Sequence, residues 1–75
     1  TFDELIGIME DAIENGKLSQ SAESVNKTRD LMELKERLKT VMKKLFEGDN
    51  TEAVKNEFKD IISRANPIII AIAEG

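Results

Sequence analysis

The stretch that decides the fold of this chain is residues 31–48, LMELKERLKTVMKKLFEG. Its apolar residues recur at spacings of three and four: Leu31, Leu34, Leu38, Val41 and Leu45. At about 100° per residue these side chains fall within an arc of about 80°, which is typical of an amphipathic α-helix. Gly48 follows as a residue that can take the left-handed conformation after a helix end. The stretch therefore predicts a long central helix that buries one face.

Length and composition indicate one small globular domain covering residues 1–75. The chain has 75 residues, 40% of them hydrophobic and 35% charged, so its core is modest and its net stability small. It has no cysteine, which excludes a disulfide scaffold and fits a cytoplasmic location. No stretch approaches the roughly 20 apolar residues that span a bilayer. Because the chain opens at Thr1 without a methionine, we expect it to be a trimmed or excised piece.

A first helix is predicted before the central one. Thr1 and Glu4 have the spacing of a capping box, and Asn15-Gly16 is expected to end the helix. Ile8 lies just outside the apolar stripe and, as a single exposed isoleucine, needs no explanation. The stripe itself consists of Phe2, Leu5, Ile6, Met9, Ala12 and Ile13.

Two further helix starts can be placed from capping residues. The second helix is expected to begin between Ser19 and Thr28, where several serines could cap it. Asp49 and Glu52 stand in capping-box register before a third helix. The apolar face of that helix comprises Val54, Phe58, Ile61, Ile62 and Ala65. Because few residues separate the second and third helices, we expect them to be antiparallel neighbours.

The C-terminal segment, residues 66–75, completes the predicted fold. Asn66-Pro67 is expected to break the third helix, with Pro67 at the first position of a new one. Residues 68–73, IIIAIA, favour a strand by propensity, but a lone strand would have no partner in an all-helical chain. We therefore predict an all-α fold, a small up-down bundle of three principal helices plus a short C-terminal helix.

The isoleucines of this segment are the candidate interface of the protein. They could close the bundle and be fully buried, or form half of an oligomer or interdomain contact. Six apolar residues in a row cannot all face one small core. An interface would use Ile69, Ile70 and Ile72, with the first two helices at its periphery. The candidate interface residues are Ile68, Ile69, Ile70 and Ile72.

Basic residues of the central helix are the candidate phosphate contacts of an alternative function, weak RNA or DNA binding. Residues 25–46 carry seven bases and three acids, whereas both flanking regions are net acidic. However, the bases divide between the two sides of the apolar face, and no aromatic residue lies among them to stack a nucleobase. Solvation of these bases, together with pairing to acids of neighbouring helices, is the favoured interpretation. The residues concerned are Lys35, Arg37, Lys39, Lys43 and Lys44.

The sequence offers little for catalysis or cofactor binding. It has no histidine, cysteine, tyrosine or tryptophan, and its glycines are isolated. Glu10 and Glu14 share a helix face and could chelate a hard cation, but solvated acids on an outer face are the more common case. We therefore assign no catalytic, cofactor-binding or metal-binding residue and predict that the protein is not an enzyme.

The C-terminal half, residues 34–74, resembles a known family. Leu45-x-x-Gly48 and Val54-x-x-x-Phe58-x-x-Ile61 are similar to the helix end and core positions of a small helical domain of unknown function. That domain precedes hemerythrin-like and PAS sensor domains in bacterial and archaeal proteins. Pro67 with Ile70, Ala71 and Glu74 resembles the family's closing pattern. The resemblance implies an accessory or interaction module without an active site. A hemerythrin-type iron site would need histidines, which this chain lacks.

Together these observations predict a non-enzymatic protein–protein interaction or accessory module. Its expected partner is a second copy of the chain or a neighbouring domain, and its expected contact is the apolar C-terminal segment. Nucleic-acid binding is the alternative. Binding to a membrane surface is not expected, because the chain is net acidic and its bases do not lie opposite a wide apolar face.

Overall fold

The computed structural model describes residues 2–18 and 21–74 and consists of three helices. Helix α1 runs over Phe2–Leu18, α2 over Ala22–Phe46 and α3 over Glu52–Glu74. No strand occurs within the described residues. The predicted all-α class is therefore confirmed. The proposed cap at Thr1 lies outside the described residues.

Helix α2 begins and ends with the local chemistry expected of it. Ser21 is its N-cap, and the Ser21 hydroxyl accepts a hydrogen bond of 3.0 Å from the backbone N–H of Ser24. This start lies inside the predicted range. At the other end Gly48 has a φ of 91°, which is the left-handed conformation that glycine adopts without a steric penalty. The predicted end of the central helix is confirmed.

The core lies along the predicted apolar face of α2. Leu38 has no exposed surface, and Leu45 is only half-buried at the end of that face. Two phenylalanines close this end of the core, with the rings of Phe2 and Phe58 in edge-to-face contact at 5.4 Å between centroids. The largest fully buried side chains come from all three helices: Met9, Leu31, Leu38, Val41 and Ile61.

Helix α1 does not end at Asn15-Gly16, so that prediction was wrong. The helix continues to Leu18, and Gly16 is buried against Thr28 of α2. A Cβ at position 16 would overlap the Thr28 hydroxyl oxygen. The glycine therefore permits close approach of two helices, a use that its sequence context does not distinguish from a helix end.

The predicted fourth helix does not form, because α3 continues through Pro67 to Glu74. Proline at this position removes one hydrogen bond, the one that the Ser63 carbonyl would accept. Ser63 and Pro67 are both exposed, so water can solvate that carbonyl. Beyond the proline, three isoleucines pack against the core: Ile68, Ile69 and Ile72. At about 1 kcal/mol for each half-buried side chain, their burial offsets a proline cost of about 3 kcal/mol.

The link between α2 and α3 also differs from the prediction. The Asp49 carboxylate accepts hydrogen bonds from the Thr51 backbone N–H at 3.1 Å and from its hydroxyl at 2.8 Å. It therefore forms a local turn with Thr51 in place of a capping box with Glu52. These bonds to Thr51 hold the pKa of Asp49 below its usual value.

Candidate functional site

The four candidate interface isoleucines do not form one surface. Ile68 lines a groove between α2 and α3 together with Leu34. Ile69 and Ile72 face the other way and line a groove between α1 and α3. Ile70 lies on the outer face of α3 with 55% of its surface exposed. The continuous helix causes this division, because successive residues project about 100° apart.

The groove between α1 and α3 is the site that best matches the predicted interface. Its volume is about 190 Å³. Ile8 forms part of its wall and is 52% exposed. Asp11 is the only charged residue among those lining it. We name this site the α1–α3 surface, and its lining residues include Ile8, Asp11, Ala12, Asn15, Ile69 and Ile72.

Ile8 is not singled out by the sequence, which placed α1 at the periphery of the expected interface. In the fold, α1 supplies one wall of this groove, and Ile8 is part of that wall. The feature of the sequence that could have pointed to Ile8 is its position at the edge of the apolar stripe of α1, which it widens on one side. This signal becomes meaningful only when the uncovered isoleucines of α3 lie next to it.

A second apolar groove lies between α1 and α2. Gly16 and the buried Thr28 lie within it, where the two helices approach each other, and the exposed Val25 and Met32 line it from α2. Its volume is about 440 Å³. We name it the α1–α2 groove, and its lining residues are Gly16, Lys17, Val25, Thr28, Arg29 and Met32.

The charges of the α1–α2 groove are opposite to those of the α1–α3 surface. Lys17 and Arg29 are its charged lining residues, and no acid lies among them. Both bases are exposed. Val25 and Met32 are not singled out by the sequence either. Their spacing of seven residues, with Arg29 between them, places all three on one flank of α2 outside the buried face.

The basic cluster of α2 is partly occupied by ion pairs. Arg37 donates hydrogen bonds of 2.9 Å from Nε to the Glu57 carboxylate and from Nη2 to that of Asp60. Lys39 lies 3.9 Å from the Glu36 carboxylate. Lys43 and Lys44 are exposed, and Lys35 is half-buried. Arg37 therefore ties α2 to α3, as the favoured interpretation of the cluster expects for this residue.

Asp60 is the acceptor that joins two arginines. It accepts from Arg37 and also from Arg64 Nε, at 3.0 Å to Oδ2. The Arg37 hydrogen bond, followed by that of Arg64, lowers the pKa of Asp60 below its usual value. Arg37, Glu57, Asp60 and Arg64 therefore form a structural contact on the surface, because their charges compensate one another within the chain.

Neither a metal site nor a membrane span can be assigned. Glu10 and Glu14 are exposed. Across residues 2–18 and 21–74, no three acids come together in a way that could hold a metal ion. In the same part of the chain, no helix has both the length and the apolar character needed to cross a bilayer.

Comparison of the chain with protein-family models, with curated proteins and with solved structures gave no match. The resemblance of residues 34–74 to the small helical domain that precedes hemerythrin-like and PAS domains stays a prediction.

Proposed function

We propose that this protein is a non-enzymatic interaction module that self-associates through the α1–α3 surface. The observation that carries the proposal is the position of Ile8, which is 52% exposed beside the half-buried Ile69 and Ile72. Covering apolar surface stabilises a complex by about 25 cal/mol per Å² before the cost of association is subtracted. The partner that covers this surface is proposed to be a second copy of the chain, because residues 65–73 of α3 are uncharged.

The charge pattern of α3 supports this occupant. Residues 65–73 contain no charged side chain, although 35% of the whole chain is charged. Depletion of charge is a property of the central part of protein interfaces. Ile70 extends this uncharged area onto the outer face, three residues before Ala73 on the same side of the helix.

The proposal includes an up-down arrangement of the three helices. It is supported by contacts along their length: Gly16 meets Thr28 near one end of the α1–α2 pair, and Arg37 meets Asp60 midway along α2 and α3. It also includes a cytoplasmic location, which the absence of cysteine from the sequence supports.

Sedimentation equilibrium across the micromolar to millimolar range tests the proposal. We expect the average mass to rise with concentration for the natural chain and to remain that of a monomer for Ile8→Lys. Phe46→Lys is the matched control and should associate like the natural chain. Phe46 is 84% exposed at the C-terminal end of α2, and the substitution introduces the same positive charge. Helical content by circular dichroism should be the same for all three proteins. A natural chain that stays monomeric at every concentration would exclude self-association.

A further inference from the structure

The α1–α3 surface and the α1–α2 groove lie on opposite flanks of the same helix. Ile8 of the first site and Lys17 of the second are nine residues apart, so they project about 180° apart at helical pitch. A molecule can therefore use both sites at once without one partner blocking the other.

The two sites are also complementary in chemistry. The α1–α3 surface presents Ile8, Asp11 and Asn15 along one ridge of α1, at relative positions of zero, three and seven. The α1–α2 groove offers Val25 and Met32 as apolar walls. An isoleucine ridge with an acid thus matches an apolar groove with bases.

The bases of the groove are available for such a contact. Lys17 and Arg29 make no ion pair with any described residue, whereas Arg37 and Arg64 are both paired. Opposite charges across an interface increase association rates and select the orientation of the partner. If the α1–α2 grooves of two copies faced each other, Lys17 and Arg29 of one copy would instead meet the same bases of the other copy.

We propose that self-association is head-to-tail, with the α1–α3 surface of one copy docked in the α1–α2 groove of the next. In this contact Ile8 inserts between Val25 and Met32, and Asp11 pairs with Lys17 or Arg29 of the neighbouring copy. The inference rests on the proposed function and adds to it the identity of the second surface. A head-to-tail contact leaves one free site at each end, so it continues into rings or open chains.

Complementation of two blocked variants tests this arrangement. Ile8→Lys removes the ridge and retains the groove, whereas Met32→Lys blocks the groove and retains the ridge. We expect each variant alone to be a monomer and their equimolar mixture to form a dimer of one copy of each, measured by sedimentation velocity. The natural chain should form larger species as its concentration rises. Both variants should fold, because positions 8 and 32 are exposed, and circular dichroism checks this.

Charge reversal provides the second measurement. Lys17→Glu with Arg29→Glu should weaken self-association at least tenfold, whereas the control pair Lys55→Glu with Lys59→Glu should have little effect, because both control residues are exposed on α3. Adding salt should weaken the natural association, since exposed charges are screened. Equal weakening by the two double variants would contradict a specific role for the groove.

The outcomes separate this inference from the proposed function. If Met32→Lys associates like the natural chain while Ile8→Lys does not, the head-to-tail contact is wrong and self-association through the α1–α3 surface stands. If the mixture of blocked variants stays monomeric although the natural chain associates, the head-to-tail contact is wrong as well. If the natural chain does not associate at all, both proposals are wrong.

Discussion

Gly16 of α1 lies against Thr28 of α2 so closely that a Cβ on the glycine would overlap the threonine hydroxyl. The threonine cannot easily move away, because its hydroxyl donates a 2.7 Å hydrogen bond to the Ser24 carbonyl and its side chain is buried. The Thr28 Cβ would also lie only 3.2 Å from the added carbon. This contact sets the distance between the two helices where the α1–α2 groove begins.

Gly16→Ala should therefore destabilise the protein. Overpacking costs about 1–3 kcal/mol, and the gain in helix propensity from glycine to alanine returns only about 1 kcal/mol. We expect a net loss of up to about 2 kcal/mol in the free energy of unfolding, measured by urea titration.

Gly7→Ala is the matched control, because nothing lies within 4 Å of a Cβ at that position. It should stabilise the chain by up to about 1 kcal/mol. In a Thr28→Ala background the loss caused by Gly16→Ala should shrink, since the threonine hydroxyl, which is the nearest group to the added carbon, is gone. If both glycine variants were stabilised equally, the close contact would be disproved.

Leu38→Ala tests the core. Leu38 is fully buried, so the truncation should cost about 2–5 kcal/mol and unfold much of so small a domain. Leu18→Ala removes the same atoms from a residue that is 78% exposed and should change the stability by less than about 0.5 kcal/mol. A loss below about 1 kcal/mol for Leu38→Ala would mean that this face of α2 is not in the core.

Pro67→Ala distinguishes a continuous α3 from two separate helices. In a continuous helix the alanine N–H restores the bond to the Ser63 carbonyl, and we expect the free energy of unfolding to rise by about 1–3 kcal/mol. At the first position of a separate helix, proline would be favourable, so the same substitution would leave stability unchanged or lower it. Urea titration measures the difference, with Ala73→Gly as a check that the last turn of α3 contributes to stability.

The pKa of Asp60 should depend more on Arg37 than on Arg64. Arg37→Gln should raise this pKa towards its ordinary value, and Arg64→Gln should raise it less, as measured by NMR titration of the side-chain carboxyl carbon. Because folding lowers the pKa, the stabilisation is complete above the unfolded pKa of about 4 and is lost as pH falls through the folded value. The acid dependence of stability below about pH 4 should therefore be weaker in Arg37→Gln. A pKa of Asp60 that is unchanged by Arg37→Gln would rule out this pairing.

Nucleic-acid binding should be no tighter than about 10⁻⁴ M at physiological salt, the weak end of non-specific affinity. The reasons are that Arg37 is already paired, the chain is net acidic and no aromatic residue lies among the bases of α2. Fluorescence anisotropy with a labelled single-stranded RNA measures this affinity. Micromolar binding that falls steeply with salt, and that Lys39→Glu with Lys43→Glu abolishes, would establish the alternative function.

The boundaries and faces of α2 could be predicted from the sequence because their causes are local. Apolar spacing at helical pitch identifies which residues of a helix face inward, and Gly48 adopts the left-handed conformation expected after the helix end. The uncertain start of α2 also lay within the predicted range. Local chemistry was a poorer guide at Asp49, where a bond to Thr51 replaced the expected capping box.

The positions that misled the prediction are those whose role depends on a distant neighbour. Gly16 and Pro67 both have the properties of helix ends, yet each lies inside a helix because packing against another part of the chain outweighs the local preference. Likewise, Ile8 is an ordinary exposed isoleucine until α3 brings Ile69 and Ile72 beside it. Periodicity along one helix determines which face is apolar. Only the packing of the three helices decides which apolar side chains remain uncovered, because that depends on distances between residues far apart in the chain.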